Sequence, residues 1–194
     1  MAARVYITGA AGSGTSSLGR ALAERLSVPH LDTDDFFWAP SEVPYTAKRP
    51  VAERLALIAA AQAGQEAAGA AAGETGGWVL SGAADGWGEP AIAGADLIIL
   101  VLTPTPVRLA RIRKREAGKF GARVKPGGDL YHNHAEFLKW AASYDEPYFG
   151  GRSLTRHRAW LAGRDEPILE LSGARPVEEI TEAALARLAA LGVL

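Results

Sequence analysis

The chain has 194 residues, 48% of them hydrophobic, and a formal net charge of −1, enough for one well-buried domain and short for two. A near-neutral chain offers no global attraction to nucleic acid or membrane, and the absence of cysteine excludes disulfides and thiolate metal sites. No basic leader precedes a long apolar core, and the longest run of large apolar residues, Leu97 to Leu102, falls far below the roughly 20 residues of a membrane helix, which predicts a soluble cytoplasmic protein.

Arg4 to Thr8 is a short β-branched and aromatic run ending in glycine, and Leu18, Leu22 and Leu26 then recur at i, i+4 and i+8, the pattern of strand, glycine loop and helix. "VPHLDTDD" supplies a second strand ending in acids, "WVLSG" a third, "DLIILVL" a fourth and "PILEL" a fifth, with helical patterns between them. The Ala/Gly-rich stretch Ala59 to Gly77 reads as a helix that frays, because alanine favours helix and the glycines become dense only at its end. The last helix opens on Pro176, Glu178 and Glu179 and runs through Ile180, Ala184 and Leu188. Strands alternating with helices, apolar on both faces, predict a single α/β domain over 1–194 with a covered parallel sheet. Right-handed crossovers then bring every strand's C-terminal end to one edge.

At that edge the first loop reads "GAAGSGTS", Gly9 to Ser16, and fits G-x-x-x-x-G-K-[ST] except that Thr15 stands where the lysine belongs. Gly9, Gly12 and Gly14, with Ser13 between them, let backbone N–H groups converge on an anion. The helix starting near Thr15 aims its positive dipole end at the same spot. Ser16 holds the position whose hydroxyl ligates Mg²⁺, and Ser17 extends the polar helix start. Thr15 offers a hydroxyl and no charge.

After the second strand, "LDTDDFFW" sets Asp32, Asp34 and Asp35 together. Three carboxylates beside a polyphosphate repel unless a divalent ion lies between them; the alternative is one aspartate capping a helix with the others solvated. Phe36, Phe37 and Trp38 follow, as core or as a ligand platform, with Trp38 the best placed of the three to face a pocket. Tyr45, Lys48, Arg49 and Arg54 in the next segment are acceptor contacts or solvent-exposed charges. Past the third strand, Ser81 and Gly82 allow close backbone approach to a substrate, and Asp85 and Trp87 line a pocket or a turn. The helix "PVRLARIRKREAGKF" sets Arg108, Arg111 and Arg115 at i, i+3 and i+7, within a stretch from Arg108 to Lys125 that holds eight basic residues against one acid. That face is a polyphosphate clamp or a solvated cationic surface. His132 and His134 point too far apart on a helix to share a metal.

"GAAGSGTSSLGRALAERL" followed by "VPHLDTDDFFW" resembles the opening of P-loop kinases of the adenylate kinase and shikimate kinase type, including small bacterial adenylate-kinase-like proteins. The likeness covers the first forty residues well and the rest more loosely. It implies a three-layer P-loop fold with a five-stranded parallel sheet in the order 2-3-1-4-5, an acceptor-binding insertion at 36–77 and a lid at 116–150. It also implies ATP and Mg²⁺, with Ser16 and Asp32 at the metal and Asp34 orienting or deprotonating the acceptor hydroxyl. Asp35, Trp38, Lys48, Arg49 and Gly82 would then touch the acceptor, and Arg111 and Arg115 would serve as lid arginines in place of the absent lysine. The loop from Gly173 to Arg175 would read adenine, with Arg175 stacked on the base. "LSGAADGWG" lacks the arginine that adenylate kinases carry after the third strand, which weakens a nucleoside monophosphate as acceptor. The expected activity is ATP-dependent phosphotransfer to a small-molecule or nucleotide acceptor. Two readings of other classes stay open: a nucleotide sensor that transfers nothing, and a nucleic-acid-associated protein using the basic helix, against which the near-neutral total charge speaks.

Overall fold

The computed structural model describes residues 2–71 and 76–194. Five strands, β1 (Arg4–Gly9), β2 (His30–Asp32), β3 (Trp78–Ser81), β4 (Leu97–Leu102) and β5 (Ile168–Ser172), form one sheet in the order β2-β3-β1-β4-β5. Every pairing is parallel. This is the expected order, and it places the ends of β1 and β2 on either side of β3.

Period-two alternation decides what each face buries. Val5, Ile7, Val79, Ile99 and Val101 pack with Leu18 and Leu22 of α1 (Thr15–Leu26) and with Ile180, Ala184 and Leu188 of α8 (Val177–Ala190). Tyr6, Leu80, Ile98 and Leu100 point the other way, against Ile58 of α3 (Val51–Ala71), Ile92 of α4 (Glu89–Ile92) and Leu161 of α7 (Leu154–Ala162). Each fully buried Leu or Ile of this set contributes about 1.5–3 kcal/mol. The two edge strands depart from the expectation of apolar strands buried on both faces: β2 is half-buried throughout, and β5 alternates exposed and half-buried residues because only one neighbour covers it.

Helix α2 (Thr33–Phe37) follows β2 at once, and α5 (Thr105–Phe120) follows β4 after two residues. Beyond α5, the stretch at 116–150 is organised as a 3₁₀ turn (Gly121–Val124), α6 (Tyr131–Ala142) and a second 3₁₀ turn (Ser143–Asp145). The glycine-rich segment expected there as a lid is folded on itself: Leu130 N–H donates to the Arg123 carbonyl over 2.9 Å, and Arg123 pairs with Asp129 over 2.6 Å. The Ala/Gly-rich stretch is helical through Ala71, and residues 72–75, with that part of the 36–77 insertion, lie outside the described residues. Among the described residues, no helix is long and apolar enough to cross a membrane.

Candidate active site

The phosphate-loop sequence forms a nest at the head of α1. Gly12 and Gly14 take φ of +77° and +103°, conformations that an L side chain rarely adopts. Gly14 is the N-cap of α1 and makes no side-chain cap bond, so the first N–H groups of the helix face the loop's concavity. Ser13 is fully buried, and its Oγ has no hydrogen-bond partner among the described residues. Thr103 Oγ1 donates to the Ser13 carbonyl over 2.9 Å. A Cβ on Gly173 would lie 2.4 Å from that same carbonyl, so the loop after β5 abuts the phosphate loop directly.

Sheet order then brings the acids to this loop. Ser16 Oγ donates to Asp32 Oδ2 over 2.6 Å, while Asp32 Oδ1 caps α2 by accepting from Asp34 N–H at 3.1 Å. Asp32 therefore combines the capping role with the contact to Ser16. The Asp34 side chain is exposed to solvent. Its pKa is raised, first by desolvation from surrounding protein and second by the Asp32 charge, with Arg152 and Arg115 pulling it back. Asp35 is exposed and its charge is felt at His30.

A hydroxyl and carboxylates make an all-oxygen donor set, the chemistry of a hard divalent cation. Among the described residues no group of three or more His, Cys, Asp or Glu could hold a metal alone. Ser16 and Asp32 could supply part of the shell of a cation such as Mg²⁺, which keeps waters and substrate phosphate oxygens as its other ligands.

The arginines of α5 separate. Arg108 is fully buried and donates to the carbonyls of Thr103 and Ala141 at 3.0 and 2.8 Å, and to Asp145 at 2.8 Å. It holds α5 to α6 and the turn after it, which corrects its placement on a polyphosphate-facing surface. Periodicity put it beside the apolar stripe, and the buried stripe of α5 proves to be Arg108, Ile112 and Glu116. Arg111 remains at the loop: its Nη1 donates to the Ser13 carbonyl over 3.2 Å and lies 3.5 Å from a Cβ built on Gly14. Arg115 is exposed, bonds Glu116 at 3.1 Å, and its charge reaches Asp34.

On the acceptor side, Trp38 bridges Lys48 in an isolated antiparallel pair and packs edge-on against Phe37 and Tyr45 at 4.7 and 5.9 Å. The Lys48 ammonium lies 5.9 Å from the Phe37 ring centre. Arg49 pairs with Glu53 over 2.8 Å. Arg54 is 7% exposed, its guanidinium 3.8 Å from the Phe37 ring centre and 5.1 Å from that of Trp87. Its Nε donates to the Arg49 carbonyl, and among the described residues no carboxylate pairs with it. Lys119, in the last turn of α5, donates to the Tyr45 hydroxyl, so α5 touches the segment between α2 and α3. The space beside Gly82 is filled by Thr33, whose Oγ1 would lie 2.0 Å from an added Cβ. Arg175 is ion-paired with Glu179 over 2.7 Å.

Sequence reasoning missed two residues here. Arg152 donates to the Gly9 carbonyl, and its Nε lies 3.9 Å from Asp85. His157 is buried between the hydroxyls of Thr8 and Tyr144, at 3.0 and 2.8 Å, with Asp85 3.5 Å away. Desolvation pushes its pKa down to about 4, so it is a neutral ring with one donor and one acceptor nitrogen. Arg152 comes from the segment entering α7 and His157 from α7 itself, a stretch that matches no motif.

No protein-family model matches the chain. The uncharacterized protein YqaC of Bacillus subtilis (strain 168) is 36% identical over 179 residues, covering 92% of this chain and 93% of the relative. Among solved structures, shikimate kinase from Aquifex aeolicus aligns with a TM-score of 0.52 at 15% identity, covering 98% of each chain. Shikimate kinase from Acinetobacter baumannii, solved in complex with shikimate, aligns with a TM-score of 0.51 at 13% identity, covering 97% of this chain and 93% of its own. At such identities the likeness to the two kinases is one of fold.

Proposed function

We propose that this chain, which belongs to the family of the Bacillus subtilis protein YqaC and has the P-loop kinase fold, transfers the γ-phosphate of ATP to a small acceptor with the help of Mg²⁺. The observation that carries this reading is the 2.6 Å contact between Ser16 and Asp32 at the mouth of the glycine nest, with Asp34 two residues further on and its N–H capped by Asp32. A polar hydroxyl, two carboxylates and a row of convergent N–H groups serve no packing purpose at the C-terminal edge of a parallel sheet. They suit a metal-bound polyphosphate.

Gly12, Gly14 and the N–H groups at the head of α1 bind the terminal phosphates. Ser16 and Asp32 would hold Mg²⁺, which supplies neutralising charge between the phosphate oxygens and the carboxylates. Asp34 takes the proton from the acceptor hydroxyl; a carboxylate whose pKa is raised by desolvation is better suited to that work than an ordinary surface aspartate. Arg111, at the Ser13 carbonyl, and Arg115, whose charge reaches Asp34, would meet the charge that develops on the transferring group. The loop from Gly173 to Arg175 is suited to adenine because its backbone meets the phosphate loop at Ser13. Stacking by Arg175 would require its ion pair with Glu179 to open.

Trp38, Lys48, Arg49 and Asp35 border the acceptor end of the cleft. Arg54, desolvated between two aromatic rings without a carboxylate partner among the described residues, favours an acceptor with an anionic group in addition to its hydroxyl. The test is ADP release from Mg²⁺-ATP across a panel of hydroxy acids, sugar acids and sugar phosphates. Acceptor-dependent release supports the assignment. ATP binding with no release for any acceptor would favour the nucleotide sensor, a reading that rests on Thr15.

A further inference from the structure

Three features converge on Gly9, the first residue of the phosphate loop. A Cβ built there would lie 3.3 Å from Thr15 Cγ2 and 2.6 Å from Ser13 Oγ, so the side chain at position 15 is directed at Gly9. The Gly9 carbonyl, in turn, accepts a hydrogen bond from Arg152 Nη2. A guanidinium brought in from the segment before α7, 143 residues away in the chain, thus meets the same residue that the Thr15 side chain approaches. We infer that Arg152 supplies the phosphate-binding cation that Thr15 cannot, so that the loop's positive charge comes from across the cleft. The inference rests on the kinase reading above and deepens it.

The arginine is held in place from several sides. Asp85 lies 3.9 Å from its Nε, an atom that is buried and has no hydrogen-bond partner among the described residues. The next residue, Ser153, is buried and caps α7 by accepting from Arg156 N–H, and Arg156 returns its own guanidinium to the Gly150 carbonyl over 2.8 Å. His157, one turn into α7, approaches the same Asp85 oxygen, its Nε2 3.5 Å away. The charge also faces the acids of the site, since it is among the groups that pull the Asp34 pKa downward. Arg111, by comparison, meets the loop at Ser13 and Gly14. Two cations at one loop, Arg152 at Gly9 and Arg111 at Ser13, would both bring positive charge to the β- and γ-phosphates.

The test uses the full chain and reads Mg²⁺-ATP affinity by calorimetry, with turnover as a second readout. Four proteins suffice: the parent, Arg152→Gln, Thr15→Lys, and the two substitutions combined. The inference expects Arg152→Gln to weaken ATP tenfold or more, Thr15→Lys alone to be neutral or weaker, and the combined variant to recover most of the lost affinity. Tight ATP binding by the parent together with unchanged binding by Arg152→Gln would overturn the inference and leave the kinase reading standing. A parent that binds no ATP would overturn both. Should Arg152→Gln fail to fold, Thr15→Lys in the parent background still decides, because a tenfold gain in affinity would mean that the position lacks a cation.

Discussion

Ser16 and Asp32 are joined by a 2.6 Å hydrogen bond from the head of α1 to the end of β2, two elements that share the edge of one sheet only because β3 lies between their strands. If that pair takes up Mg²⁺, each substitution should act through the metal. Ser16→Ala and Asp32→Asn are expected to raise the Mg²⁺ concentration needed for half-maximal turnover by tenfold or more. Asp32→Asn should in addition lose little of the α2 cap, because asparagine caps as well as aspartate. Titrating Mg²⁺ at saturating ATP checks both, and an unchanged requirement would confine Ser16 to a helix start.

Asp34 yields a prediction in which activity and stability move in opposite directions. Its folded-state pKa is raised by desolvation and by Asp32, so the native state holds the proton more firmly than the unfolded chain does, and stability falls as pH rises through the window above the unfolded value of 3.8. Asp34→Asn removes that penalty and should raise the melting temperature at pH 7, while phosphotransfer is lost and ATP binding is kept. In the parent protein kcat/KM should fall on acidification through the raised pKa. Thermal denaturation beside a pH–rate profile tests the pair, and a variant that melts lower with undiminished turnover contradicts it.

His157 predicts the acid limb of stability. Its pKa is lowered from 6.5 to about 4 by desolvation, so below pH 6.5 the unfolded chain takes up a proton that the native state refuses. Stability is therefore lost as pH falls from 6.5 toward 4. His157→Gln, which does not titrate, should flatten this limb relative to the parent. Denaturant midpoints at pH 7, 6, 5 and 4 show the difference in slope; parallel curves would mean that other groups govern acid unfolding.

What was legible in the chain was what is local. The nest is written in consecutive residues, Gly9 to Ser16, and the strand pattern set the sheet edge on which Ser16 and Asp32 meet. Arg108 was misread because helical spacing reports a face and not what covers it: its partners Ala141 and Asp145 lie 33 and 37 residues downstream. Arg152 and His157 left no signal in "GGRSLTRHRAW", since a single basic residue acquires meaning only from the Gly9 and Thr8 groups that the sheet brings beside it. The bare Cα of Gly82, open to a substrate on sequence grounds, is covered by Thr33 from the neighbouring β2–α2 junction.

Three arginines of α5, Arg108, Arg111 and Arg115, should give two kinds of defect from one helix. Arg108 is buried and its guanidinium satisfies two carbonyls and Asp145, so Arg108→Met leaves buried acceptors unpaired. The expected destabilisation is about 3 kcal/mol or more, roughly 6–12 °C in Tm for a chain of this size. Arg111 and Arg115 are exposed; among the described residues the first hydrogen-bonds the Ser13 carbonyl and the second its neighbour Glu116. Their removal should leave Tm within a degree or two, because exposed charges contribute about 0–1 kcal/mol. If they face the transferring phosphate, Arg111→Ala and Arg115→Ala should each lower kcat by two orders of magnitude or more. Melting curves and turnover measured side by side separate the two classes. Full activity in both alanine variants would reduce this face to a solvated surface, leaving Arg152 as the cation on which the site depends.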